Sequence, residues 1–468
     1  MRIIRFDNLG WRARFDDGFN EKNVARAVAA LGRIWADAQP GATVYVGYDT
    51  RYNGLVLARV VGGVLAAMGM RAVIAQAACP TPALGWTVAH DESAVGGVML
   101  TASSASSAYG GISARLSDGG PVPEDFYEVA TQLVTPLQPE VSKNVEYADL
   151  HERYRQSVLE QINVQAIADA APRIVVDPLY GSARGFLASM LRSVGCRVLE
   201  LHGDDVPDFG GLHPSPSEPW VDKAEQAVRQ RGYDAAIVLD GDGDRLGLVD
   251  ENGHFVTPHL MEALILEHLV GNRGQRGRVV ATWSSSAYIK RQAIRLGCAY
   301  TPVPMGFTRI YGEFIDRDVL MGCEELGGVA YPAHLAERDG ILSAMLLIEY
   351  MAMSGAKVSD LVGSLVHNLG ELHYITKDIR LDAASIQSFR NILPGLNLNT
   401  VCGKVPVSIG HVDGLLLRFE DDSWVQLRPS RTKPLVRACA EADDKAVAKR
   451  LAEEACAGAL AQLPRYMA

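Results

Sequence analysis

Three times along this chain an apolar run, a polar turn and a helix-spaced segment follow one another, and that recurrence leaves few folds open. The first set is ATVYVGYDTR (Ala42–Arg51), GLVLARVVGGVLAAMGM, RAVIAQA, PALGWTVAH and GGVMLTAS. The second runs RIVVDPLYG, SARGFLASMLRSVG, CRVLELHG, VDKAEQAVRQRG and DAAIVLDGDGDR. The third passes from RVVATWSSS through AYIKRQAIRLGC and VLMGCEELGG to the helix DGILSAMLLIEYMAMSG. Strands alternating with helices predict βαβ layers with largely parallel sheets. The repeat is architectural, without residue-by-residue self-similarity. The closing segment differs, with HYITKDIRL, VPVSIG, GLLLRFE, SWVQLRP and LVRACAEA ahead of an amphipathic helix. The expectation is three similar α/β domains with mixed, largely parallel sheets and a smaller C-terminal α+β domain. Boundaries near Asp149, Gly253 and Gly370 divide the chain into 1–149, 150–253, 254–369 and 370–468.

A chain of 468 residues is too long for one core. Its net charge of −10 argues against nucleic acid as partner, since phosphate backbones select basic surfaces. A small anionic ligand needs only a local cluster of arginines and is still allowed. Seven cysteines, with no CxxC pair, read as reduced thiols, among them Cys196, Cys298 and Cys439 in apolar surroundings. The opening MRIIRFDNLGW is too short and too soon charged for a signal peptide. No apolar run reaches the roughly 18 residues of a membrane helix. The expectation is a cytoplasmic protein with no membrane partner.

In parallel α/β sheets, functional residues gather in loops leaving the carboxyl ends of strands. One such loop follows GGVMLTAS and displays small residues and hydroxyls, TASSASSAYGG (Thr101–Gly111). Another places Asp240, Asp242 and Asp244 alternately with Gly241 and Gly243 after an apolar strand. Three carboxylates so close repel one another unless a cation lies between them, and oxygen-only ligands favour a hard ion such as magnesium. An EF-hand calcium loop nearly fits, but Arg245 stands where that loop demands glycine and a strand precedes it where a helix is required. A dehalogenase-type phosphatase also places DxD after a strand, but the expected Thr is replaced by DR. RPSRTKPLVR gathers Arg428, Ser430, Arg431, Thr432, Lys433 and Arg437, suited to phosphate oxygens or simply a solvated basic turn. Glu324 and Glu325, in a glycine-flanked loop, are either acceptors for sugar hydroxyls or surface charges.

Together and in this order, VGYDTR, VMLTAS, VVDPLYG, HPSPSEP, LDGDGDRLGLVDENG and RPSRTKPLVR resemble the motifs of the α-D-phosphohexomutase superfamily along essentially the whole chain. The resemblance implies four domains around a central cleft. It implies a magnesium-dependent isomerase that interconverts hexose 1- and 6-phosphates through a phosphoserine and a bisphosphate, acting on a phosphosugar as monomer or homodimer. Thr101, Ala102 and Ser103 match the family's serine motif, so Ser103 would carry the phosphoryl group once primed by a hexose bisphosphate. Asp240, Asp242 and Asp244 match ligands of one magnesium ion, with the Ser103 oxygen completing the site. Arg12 and Arg245 match catalytic arginines, Glu324 the sugar-contacting glutamate, and Arg428, Ser430, Thr432 and Arg437 the phosphate-binding loop.

The chain also departs from that pattern. Ser104 and Ala105 replace the family's His and Asn, Ser113 stands where a lysine is expected, and Leu326 and Gly328 replace the Ser and His of the sugar loop. Lys433 replaces a carboxylate. General acid–base groups are worth roughly 10²–10⁴ in rate. A slow or respecialised enzyme, or a catalytically impaired sugar-phosphate binder, are therefore the competing expectations, with a phosphatase using Asp240 as nucleophile as a third. Asp49 and Asp177 are candidate substitutes for the lost proton carriers.

Overall fold

A computed structural model of the protein describes residues 3–430 and 434–463. Four sheets follow one another along the chain. In the first, Thr43–Tyr48 lies between Arg71–Ala75 and Ala94–Leu100, all parallel. Its side chains are buried on both faces, apart from the half-buried Tyr45, which is why the sequence there is apolar rather than alternating. Ala94–Leu100 then turns back into the antiparallel Tyr109–Leu116, and Trp11–Arg14 closes that edge. The second sheet has Arg173–Asp177 between Arg197–Glu200 and Ala235–Leu239 in parallel, followed by antiparallel Leu246–Val249 and Phe255–Val256. The third has Arg278–Thr282 between Tyr300–Val303 and Val319–Glu324 in parallel, followed by antiparallel Gly328–Tyr331 and Leu335–Arg338.

The sheets of the three α/β units are mixed, as expected, each with a parallel heart and one antiparallel flank. In all three the flank begins at the same place, the hairpin after the inner parallel strand. Those hairpins are the serine loop, the acidic loop and the Glu324 loop. The architectural repeat therefore delivers three loops to equivalent sheet corners.

The fourth sheet is wholly antiparallel, ordered His373–Arg380, Leu435–Ala442, Trp424–Pro429, Leu415–Arg418 and Ser408–Gly410. Helices Ala383–Ile392 and Lys445–Leu460 contribute to its own core. The first unit likewise has a separate core. The second and third each keep a smaller cluster of their own but also share a large one, in which Ile174, Phe186 and Ile237 pack with Met321, Ile341 and Leu346. Helix Gly340–Ser354 supplies much of that shared core, and the Asp339 carboxylate caps it by accepting from the Leu342 N–H at 2.8 Å. Cys196, Cys298 and Cys439 are buried and unbridged. Among the described residues, no single helix is long and apolar enough to cross a membrane.

Candidate active site

The serine loop is built around Arg51. Its Nε donates to Asp49 at 2.9 Å, Nη1 to the carbonyls of Ser106 and Tyr109 at 2.7 and 3.0 Å, and Nη2 to those of Ser103 and Ala105 at 2.6 and 2.7 Å. The guanidinium also lies 4.8 Å over the Phe209 ring. Asp49 in turn accepts from the Thr101 hydroxyl at 2.7 Å, and Thr101 Oγ1 accepts from the Ser103 N–H at 2.8 Å. This lattice holds Ser103 at φ +48°, in the left-handed region that costs a non-glycine residue about 1–3 kcal/mol. Only 5 % of Ser103 is exposed, and its Oγ has two fixed neighbours. It donates to Asp240 Oδ2 at 2.8 Å and accepts from Arg245 Nη1 at 2.9 Å.

Asp240, Asp242 and Asp244 converge as expected, with one carboxylate oxygen from each lying within 4.8 Å of the others. All three are buried. The backbone N–H groups of Asp244 and Arg245 donate to Asp240 Oδ1, so the hairpin folds around its own first carboxylate. Thr81, at the start of helix Thr81–Ala89, donates its hydroxyl to Asp242 Oδ2 at 2.8 Å, docking the first unit on the loop of the second. Gly241 is required for the close approach: a Cβ there would lie 2.7 Å from the Ser103 carbonyl. Burial, with the charges of Asp244 and Asp242, pushes the Asp240 carboxyl well above its usual range. Burial and the Asp242 charge likewise raise Asp244 to about 6, against the opposing pull of Arg338. Asp242 Oδ1 and Asp244 Oδ1 are buried with no hydrogen-bond partner. Two orphaned carboxylate oxygens beside a third carboxylate and a hydroxyl fit a small hard cation.

Glu324 ends its strand beside this cluster. Its Oε1 accepts from Arg245 Nη2 at 3.0 Å and from Arg338 Nη1 at 2.8 Å. Burial would raise its carboxyl, but the two arginines, Arg338 foremost, outweigh that and hold it at about 2. Backbone contacts seat the loop too, since Leu246 N–H donates to the Gly327 carbonyl at 3.1 Å. Glu325 accepts from the Thr282 hydroxyl at 3.1 Å, and burial with the Glu324 charge raises its carboxyl.

Arg12 stands on the edge strand Trp11–Arg14 rather than in a loop, and lines a small cleft with Ser103, Asp242, Asp244, Arg245 and Arg338. At the position of the expected lysine, Ser113 accepts from Arg115 Nη1 at 3.2 Å, and Arg115 is paired with buried Glu337 at 2.8 Å. Of the basic loop, Arg428 donates to Met305 Sδ, and the Ser430 N–H closes the hairpin onto the Leu435 carbonyl at 2.8 Å. Arg437 pairs across the strands with Asp378 at 2.7 Å. Thr432, Arg431 and Lys433 lie outside the described residues.

Two proposed proton carriers are corrected by their surroundings. Asp49 is engaged by Arg51 and Thr101, and Asp177 by His202 at 2.8 Å and the Leu179 N–H at 2.9 Å, so both hold structure. Sequence reasoning missed Arg51 as organiser of the serine loop, though VGYDTR contains it, and it missed Arg338 altogether. No local signal marks Arg338, which reaches the site only through the pairing of its edge strand.

Comparison with known proteins agrees with this geometry. The chain matches the descriptions phosphoglucomutase/phosphomannomutase alpha/beta/alpha domain I over residues 4–137, domain II over 152–253 and domain III over 257–369. The C-terminal domain of that family matches over residues 404–458. A phosphoglucomutase/phosphomannomutase of Thermococcus kodakarensis is 27 % identical over 417 residues, covering 88 % of each chain. A phosphoglucosamine/phosphogalactosamine mutase of Sulfurisphaera tokodaii is 25 % identical, covering 88 % of this chain and 90 % of its own. A solved structure from Thermus thermophilus, provisionally named a phosphomannomutase, is 30 % identical with a TM-score of 0.86, covering 97 % of this chain and 99 % of its own. With four sheets in the family's order and all four of its domains matched, the chain belongs to the phosphoglucomutase/phosphomannomutase family, the α-D-phosphohexomutases, and is an intramolecular phosphotransferase.

Proposed function

We propose that this chain is a magnesium-dependent phosphohexomutase that carries a phosphoryl group on Ser103 and interconverts hexose 1- and 6-phosphates through a bisphosphate. It acts in the cytoplasm on a phosphosugar, with the four domains divided at Asp149, Gly253 and Gly370. The observation that carries this reading is the placement of Ser103 Oγ at hydrogen-bond distance from both Asp240 and Arg245, beside two unpartnered carboxylate oxygens.

Asp240, Asp242, Asp244 and Ser103 Oγ would hold the magnesium ion, which neutralises phosphoryl charge when bound. The remaining work falls to the protein. Phosphoryl transfer spreads charge over equatorial oxygens, so positioning and fixed cations supply most of the rate. Arg245 holds the serine oxygen and reaches Glu324 from the same guanidinium, tying carrier to sugar loop. Arg12 adds positive charge to the lining of the same cleft. Glu324 reads hydroxyls, and Arg428, Ser430, Thr432 and Arg437 grip the phosphate that is not being transferred. The cleft is rich in charge stabilisation and poor in free proton carriers, so it works chiefly by electrostatics.

Phosphorus NMR of the purified chain with magnesium, glucose 1,6-bisphosphate as primer, and glucose, mannose or glucosamine 1-phosphate tests the reading. A new 6-phosphate signal that Ser103→Ala lacks is expected. Turnover of none of the three sugars, or turnover surviving in Ser103→Ala, overturns it.

A further inference from the structure

Arg338 closes the third sheet's edge strand, just before Asp339 caps the helix Gly340–Ser354. Its planar fork reaches three carboxylates. Nη2 lies 2.7 Å from Asp244 Oδ2, Nη1 2.8 Å from Glu324 Oε1, and Nε 3.2 Å from Glu337 Oε1. The guanidinium packs 4.9 Å over the Phe307 ring, and the side chain is 11 % exposed. Room for it comes from Gly328, where a Cβ would lie 2.6 Å from Arg338 Cδ and 3.1 Å from Glu324 Oε1. Any larger residue at position 328 therefore displaces this arginine.

Two further facts fix its significance. Asp244 gives one oxygen to Arg338 and keeps the other unpartnered, so the same carboxylate faces a permanent cation on one side and an open coordination position on the other. Arg338 also lines the cleft that contains Ser103 and Arg12, the cleft that would receive the anionic substrate of the proposed function. A fixed positive charge in that position repels a second cation and attracts an anion.

We propose that Arg338 is a positioning and specificity residue, a built-in cation that weakens metal binding at Asp244 while strengthening the hold on an anionic phosphosugar and keeping Glu324 aligned with the metal loop. This deepens the proposed function and rests on it for the identity of the two ligands. Through Asp244 it touches the second unit and through Glu324 and Glu337 the third, so metal loop and sugar loop share one charge.

The test exploits opposite signs. Titration calorimetry on the full chain measures magnesium and glucose 1-phosphate separately, in wild type, Arg338→Met and Arg338→Lys. Loss of the cation in Arg338→Met should tighten magnesium by about tenfold and weaken glucose 1-phosphate by about tenfold, as expected for one unit charge in a partly desolvated cleft. Arg338→Lys, which keeps the charge but not the fork, should retain most of the magnesium behaviour of wild type. A purely structural role weakens both ligands together and overturns the proposal, as does an unchanged pair of constants. Melting curves identify any loss of fold, and Arg338→Gln, a second uncharged variant with the same expected opposite shifts, takes the place of Arg338→Met should that not fold. If wild type binds no magnesium, the proposed function fails, and the glucose 1-phosphate titration still decides for or against Arg338.

Discussion

Replacing Arg51 by lysine isolates the organiser of the serine loop from its charge. The native guanidinium donates to Asp49 and to the carbonyls of Ser103, Ala105, Ser106 and Tyr109. An ammonium has only three donors on one nitrogen and cannot span that set. If it stays with Asp49 it abandons at least two carbonyls. Each buried acceptor left unpaired costs about 1–3 kcal/mol, and water reaches the half-exposed outer part of the loop, so about 2–4 kcal/mol is expected for the first unit. The functional loss should be larger in kind. Ser103 holds its positive φ only because Arg51 and Thr101 fix the residues around it, and a misplacement of about 1 Å at a reacting group costs about 10²-fold in rate. Urea unfolding followed by tryptophan fluorescence, with phosphate exchange measured as kcat and KM, provides the assay. We expect a destabilised first transition, kcat down about 10²-fold and KM little changed. A loss below about 1 kcal/mol together with kcat within about threefold of wild type would refute the reasoning.

Magnesium should stabilise the folded chain, because Asp242 Oδ1 and Asp244 Oδ1 are buried without a partner and a cation would supply one. At about a hundred times its dissociation constant the gain is about 2.7 kcal/mol, seen as a raised Tm that Asp242→Asn loses, and an unmoved Tm in wild type would contradict the metal site. His259 supplies a pH dependence remote from that site. It is buried with its Nδ1 unpartnered, and burial pushes its imidazole down to about 4. The unfolded chain therefore binds the proton first, and stability falls as pH drops through the window from about 6.5 to about 4. Relative to His259→Gln, wild type should lose about 2 kcal/mol between about pH 7 and about pH 5, and parallel curves for the two proteins would exclude this origin.

The parts of the site that could be read in the sequence are those carried by local spacing. Asp240, Asp242 and Asp244 alternate with glycines in a single turn, so their convergence needs no distant partner. The serine loop and the Glu324 loop could be placed because each follows an apolar strand. What could not be read depends on pairings between distant segments. Asp49 and Asp177 resemble spare proton carriers in the sequence, yet their partners Thr101 and His202 lie on other strands and loops. The register of two antiparallel strands brings Asp378 opposite Arg437, a partner the sequence does not announce and one that a bound phosphate would share with it. Gly328 reads as a lost histidine until the edge strand shows Arg338 filling that space. Apolar runs hide strand direction, so the expectation of mixed sheets could not say which strands run antiparallel; the hairpins that set those flanks carry the candidate site loops at their turns.

The core shared by the second and third units bears on how such a chain can be recombined. Phe186 and Ile237 from one side and Ile341 and Leu346 from the other fill a single interior. A cut near Gly253 would therefore divide packed side chains and not merely a connecting loop. A chimera that exchanges the third unit alone between relatives must mate two half-interiors of different ancestry. The fourth unit has an interior of its own, yet it meets the third at Trp283, packed beside Trp424, and at Ser286 and the Ala287 N–H, which donate to buried Glu441. Inheritance of the acidic loop and the Glu324 loop is thus coupled by a shared interior, whereas the basic hairpin can travel with the fourth unit once those few seam residues are matched.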